Sequence, residues 1–146
     1  GACEMLSDEE IDKIFSVDLM GAIYLTKRIL PLMQEGGKII NISSIAAICG
    51  LYDRVDYAAS KAAQIGMVKS LAMEVGEYNI CVNCISPGAI NRDGSNWQHM
   101  TYLGENGHAG QPKDISDTVL FLAENDYITG QNIVVDGGRT LGPGNR

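Results

Sequence analysis

Three short runs rich in apolar residues, KIINIS (Lys38 to Ser43), ICVNCIS (Ile80 to Ser86) and NIVVD (Asn132 to Asp136), alternate with segments of helical periodicity. This alternation constrains the fold of the 146-residue chain more than any other feature. Strands separated by helices pair in parallel, because a crossover helix returns the chain to the same end of the sheet. The expected class is therefore α/β, a doubly wound parallel sheet with flanking helices, of which three strands are visible.

The helical segments carry their own punctuation. Ser7 followed by Glu10 is a capping box, and it opens an apolar stripe at Ile11, Ile14, Phe15, Ala22, Leu25, Ile29 and Leu32. One long helix is expected, ending near Gly36 and Gly37. A second helix runs from Asp56 to Val75, where Ala58, Ala59, Ala62, Ala63 and Gly66 keep one side thin and favour close helix contacts. Pro87 and Gly88 stop the second strand, and a polar, Gly-containing segment from Asn91 to Gln111 reads as a lid or substrate loop. Pro112 and Asp114 start a shorter helix through Ala123. No repeat or interdomain linker is visible, so residues 1–146 read as one domain.

Composition excludes several partners. A net charge of -7 repels phosphate backbones and anionic lipid surfaces, so neither nucleic acid nor membrane is expected. The acidic start (Asp8, Glu9, Glu10, Asp12) resembles no export or transit signal, and no apolar run is long enough to span a bilayer. The four cysteines are expected as free thiols of a cytoplasmic protein. Cys81 and Cys84 form a C-x-x-C, but within a strand they point to opposite faces, and His99 and His108 stand at no recognisable ligand spacing. No metal site is expected.

Tyr57 and Lys61 stand four apart at the start of the second helix, so phenol and ammonium project from one face. A nearby cation favours phenolate over phenol, which suits a tyrosine to acid/base work near neutrality. The spacing alone also fits a tyrosine packed on a lysine stem. Four ordered segments add to it: NISS (Asn41 to Ser44), YAASK (Tyr57 to Lys61), VNCISPGAI (Val82 to Ile90) and TGQNIVVDGG (Thr129 to Gly138). In this order they resemble the marks of classical short-chain dehydrogenases/reductases. VDLMG (Val17 to Gly21) and LPLM (Leu30 to Met33) resemble the family's preceding helix, so the resemblance covers essentially the whole chain.

The resemblance implies a Rossmann-type fold and hydride transfer between NAD or NADP and an alcohol or carbonyl substrate. It assigns Ser44, thirteen positions before the tyrosine, as donor to the substrate oxygen, with Ser43 the lesser candidate. A carbonyl gaining hydride develops oxyanion character, which a fixed hydroxyl stabilises. Tyr57 would exchange the proton with that oxygen, and Lys61 would hold the nicotinamide ribose. Pro87, Gly88 and Ile90 match the segment lying against the nicotinamide amide. The helix-packed dimers of the family imply a homo-oligomer through the first two long helices.

The chain departs from the family at three places. Asp18 stands where an asparagine usually completes the catalytic set. It falls on the apolar stripe, where a carboxylate needs a partner. A catalytic role and a local polar contact with backbone or internal water are equally open. Arg92 replaces a threonine near the nicotinamide amide and is expected to be a solvated loop residue. The family's first strand, its T-G-x-x-x-G-x-G turn and the residue that chooses NAD or NADP have no counterpart. The chain is therefore expected to be a C-terminal catalytic half, with the first βαβ half missing, inactive without it. Gly138, Gly142 and Gly144 mimic a phosphate loop, but Pro143 prevents a following helix. The rival expectation is a catalytically silent truncated module that folds and self-associates.

Overall fold

A computed structural model describes residues 2–94 and 101–142. Three parallel strands, β1 (Lys38–Ile42), β2 (Cys81–Pro87) and β3 (Asn132–Val135), lie in that spatial order. Register pairs Lys38 with Cys81 through Ile42 with Ile85, and Cys84 with Asn132 through Pro87 with Val135. The expected parallel sheet is present, each strand within two residues of its predicted bounds.

The central strand β2 is buried from Cys81 to Ser86. Its side chains alternate between faces, so continuous burial means that both faces are covered. On one side Val82 and Cys84 join Val68, Ala72 and Val75 of helix α5 (Val55–Val75) in an apolar cluster. Helix α6 (Pro112–Glu124) packs against β1 and β2, with Leu122 sealed. Burial pushes the Cys84 thiol up, weakly opposed by contacts with Asn41 and Ser43. All four cysteines are free.

The first long helix differs from expectation. A short helix α1 (Ala2–Met5) precedes it, and Ser7 and Glu10 form the predicted capping box on α2 (Asp8–Ile14). The helix then widens into a π-turn from Phe15 to Met20 before resuming as α3 (Gly21–Ile29) and a final 3₁₀ turn, Leu30–Leu32. None of its residues is buried. A groove of about 1150 Å³ beside α5 is walled by other residues of this helix, Ile23 and Leu30, with Met67 and Leu71 of α5, and none of the stripe residues lines it. Leu25, Ile29 and Leu32 are exposed. Periodicity identified the helix correctly but assigned its apolar side to a core that these residues do not build.

Candidate active site

The candidate residues gather at the carboxyl ends of the strands, where ligands of open α/β sheets bind. Beyond β1 the chain continues in register with β2: Ser43 N–H donates to the Ile85 carbonyl at 2.8 Å, and Ile45 N–H to that of Pro87 at 3.1 Å. Ser43 and Ser44 are thereby fixed beside the strand-ending Pro87. Their hydroxyls have different duties. Buried Ser43 donates its hydroxyl proton to the Lys61 carbonyl at 2.8 Å. Ser44 Oγ accepts from Ala46 N–H at 3.1 Å, at the entry of the short helix α4 (Ala46–Cys49), so its proton remains available.

Helix α5 supplies the other groups. Residues 56, 60, 64, 68 and 72 are all buried, four apart along one edge. The lower members are apolar and meet the sheet. The upper members are Asp56, Ser60 and Gln64, and this end packs against the π-turn. One turn to the side, Lys61 Nζ lies 5.6 Å from the Tyr57 ring centroid and donates to the Ile42 carbonyl at 3.2 Å. Its stem thus crosses from α5 to the end of β1, two residues before Ser44. Asp18, carried inward by the π-turn, places Oδ2 at 3.7 Å from Lys61 Nζ. Ser60 Oγ bonds the Tyr57 carbonyl at 2.9 Å and reaches Asp18 Oδ2 at 3.5 Å. Gln64 Nε2 donates to the Asp18 carbonyl. The Asp18 carboxylate is half-buried and partnered.

Pro87, Gly88 and Ile90 line the neighbouring strand end. Gly88 N–H donates to the Val135 carbonyl at 2.9 Å, and Ile90 bridges to Gly110. A Cβ on Gly88 would fall 2.8 Å from the Asp136 Cα, so close backbone approach, as well as the turn, requires glycine here. Burial pushes the Asp136 carboxyl up, but hydrogen bonds from Thr140 and Gly138 outweigh it and hold the group below the usual carboxylate range. His108 turns its Nδ1 to the neighbouring Ala109 carbonyl. His99, Gly144 and Pro143 lie outside the described residues. Among the described residues no group of three or more His, Cys, Asp or Glu is placed to hold a metal.

Sequence reasoning passed over Arg54 and the upper stripe of α5. The Arg54 guanidinium lies 5.3 Å from the Tyr57 ring centroid, with Nε 3.4 Å from the buried Asp56 carboxylate. The signal was available: Asp56, Ser60 and Gln64 recur every four residues on a helix whose small residues had drawn attention to the other faces.

Comparison with known proteins agrees with this fold. A family model described as enoyl-(acyl carrier protein) reductase matches residues 1–140. The chain belongs to the short-chain dehydrogenase/reductase family. Among its relatives, carbonyl reductase family member 4 of Xenopus tropicalis is 43% identical over 91% of this chain and 58% of its own length. The 7alpha-hydroxysteroid dehydrogenase of Bacteroides fragilis is 37% identical over 94% of this chain and 58% of its own. The landomycin C-6 ketoreductase LanV, solved with NADP and rabelomycin, superimposes with a TM-score of 0.89 at 32% identity, over 97% of this chain and 57% of that one. An apo SCOR enzyme from Clostridium thermocellum gives 0.87 at 38% identity, over 97% and 58%. The chain therefore spans a little under three-fifths of the length of these relatives. No helix among its described residues is long and apolar enough to cross a membrane.

Proposed function

We propose that this chain is the catalytic part of an NAD(P)-dependent oxidoreductase that interconverts a small alcohol and its carbonyl. The observation that carries the reading is the Lys61 side chain. Its ammonium is tied to the end of β1 beside Ser44, while standing 5.6 Å from the ring of Tyr57.

Each residue then has a chemical duty. Ser44, whose own oxygen is fixed by Ala46 N–H, donates to the substrate oxygen and stabilises negative charge developing there. Tyr57 gives a proton to that oxygen in reduction and takes it back in oxidation. Lys61 has three N–H donors, directed in part to Ile42 and Asp18, and its remaining capacity suits a ribose hydroxyl. Pro87, Gly88 and Ile90 would form the wall for the nicotinamide amide. The bound nicotinamide would supply or accept the hydride. Asp18 acts through Lys61, as the carboxylate partner of its ammonium.

The working enzyme is proposed to include an amino-terminal dinucleotide-binding half beyond these residues. Two observations support this: the chain's share of its relatives' length, and β1 lying at the sheet edge, half-buried to exposed along its length. Such an edge presents unpaired backbone groups to a further strand. By the same argument the 146 residues alone form a folded module that turns nothing over, the second reading these features favour. Self-association through the groove between α3 and α5 is proposed from its half-buried apolar walls, and the free thiols favour the cytoplasm.

Titration of NADH and NADPH against the 146-residue chain is expected to show no saturation at low micromolar concentration, whereas the polypeptide extended upstream through its reading frame binds and turns over. Tyr57→Phe in that polypeptide is expected to lower kcat at least about a hundredfold while leaving thermal stability unchanged. Retained turnover removes Tyr57 from its role, and tight cofactor binding by the short chain removes the need for the upstream half.

A further inference from the structure

We propose that Gln64 is a positioning residue that aims the Asp18 carboxylate at Lys61, an inference resting on the reading of Tyr57 and Lys61 as the acid/base pair. Gln64 is 4% exposed, one helical turn beyond Ser60, facing the π-turn. Its amide orientation is set by chemistry: the Asp18 carbonyl can only accept, so Nε2 must face it. That leaves Oε1 buried without a hydrogen-bond partner among the described residues. An unmet buried acceptor costs about 1–3 kcal/mol. Stability alone is better served by the solution used one turn further along the same edge, where Val68 packs against the sheet. The amide therefore answers a different requirement.

That requirement is the geometry of Asp18. Between Phe15 and Met20 the helix is widened, and Gly21 N–H reaches back five residues to the Ser16 carbonyl. Such a turn lacks the ordinary ladder that fixes side-chain direction in an α-helix. Gln64 holds Asp18 at its backbone carbonyl and Ser60 holds it at the carboxylate. Pinned at both ends, the carboxylate stands 3.7 Å from Lys61 Nζ. Gln64 touches neither Lys61 nor Tyr57 through any hydrogen bond, so its effect on the reaction passes through Asp18.

The first test uses the 146-residue chain. A water-soluble carbodiimide activates the Asp18 carboxyl, and attack by the neutral Lys61 amine forms an amide bond as the reagent leaves as its urea, carrying the elements of water. The linked peptide is quantified by mass spectrometry. Gln64→Leu is expected to fold with wild-type or higher stability and to lose Asp18–Lys61 coupling several-fold. In the extended polypeptide the same change is expected to lower kcat about tenfold, the worth of one hydrogen bond, with KM for the carbonyl substrate unchanged. Gln64→Glu supplies the check should Gln64→Leu not fold. Its carboxyl can donate to the Asp18 carbonyl only when protonated, so coupling relative to wild type falls as pH rises through its titration. Wild-type coupling in both variants overturns the proposal, as does an unchanged kcat beside diminished coupling. Failure of the underlying reading shows separately, as turnover retained by Tyr57→Phe while coupling still depends on Gln64.

Discussion

The two long helices that flank the site solve opposite problems. Helix α5 is one uninterrupted run of 21 residues, anchored by a buried edge that is polar near its N-terminus and apolar toward the sheet. The helix before it is broken by a π-turn, buries no residue, and exposes Leu25, Ile29 and Leu32. Regularity in α5 fixes the Tyr57 to Lys61 spacing and joins it to the core, so stability and the geometry of the proposed site share one element. Irregularity in the other helix delivers a carboxylate inward at one place, and its apolar residues remain for a surface yet to be covered. The difference teaches that apolar periodicity reports a face that needs burial without saying whether the burying surface belongs to the same chain.

The largest expected difference between the helices is in stability. Val68 on α5 is 1% exposed against β2, whereas Leu25 on α3 is 61% exposed. Val68→Ala removes two buried methyl groups and leaves a cavity, at a cost of about 2 kcal/mol. Leu25→Ala is expected to stay within about 0.5 kcal/mol in dilute solution. Urea unfolding at low protein concentration measures both. Equal losses would mean that α3 is as much a part of the core as α5, and would break the contrast.

Most of the fold was legible in the sequence for the same reason that α5 is regular. β-branched strands, a capping box at Ser7 and Pro112 at a helix start are local signals, and nothing distant overrode them. Ser44, Tyr57 and Lys61 could be named because a motif fixes their chain positions, and the sheet and α5 bring those positions to one strand end. What could not be read was the path of the backbone near Asp18. Nothing local in FSVDLM announces a π-turn. The turn exists where Gln64, 46 residues away, bonds the Asp18 carbonyl. Arg54 escaped notice similarly, since its place on the Tyr57 ring depends on Asp56 being buried beneath it.

The contrast sharpens if the groove between α3 and α5 receives a second copy of the chain. Melting temperature is then expected to rise with protein concentration, because the dimer is favoured by mass action. Ser70→Glu, which introduces a charge at an exposed position of the groove wall, is expected to remove that dependence while leaving the dilute-limit melting temperature nearly unchanged. Light scattering of both forms checks it. A monomer at high micromolar concentration would rule out a second copy as the occupant of the groove.

The smallest expected effect separates the two helix starts. Glu10 on α2 is held below the usual carboxylate range by the Ser7 backbone N–H and hydroxyl, against slight opposition from desolvation and Asp56. The start of α5, at Arg54, has no side-chain cap hydrogen bond. A carboxyl with a lowered folded-state pKa contributes stability above its unfolded value, near about 4.3 for glutamate. That contribution disappears as pH falls through the lower folded value. Acidification below about pH 4 should therefore fray the first turn of α2 through loss of this box. Amide resonances of Ser7 and Glu10, followed by NMR from pH 6 to pH 3, are expected to titrate together, and Ser7→Ala should remove the coupled response. First-turn amides of α5 moving with the same midpoint would show that acid acts on the whole helical layer rather than on this cap.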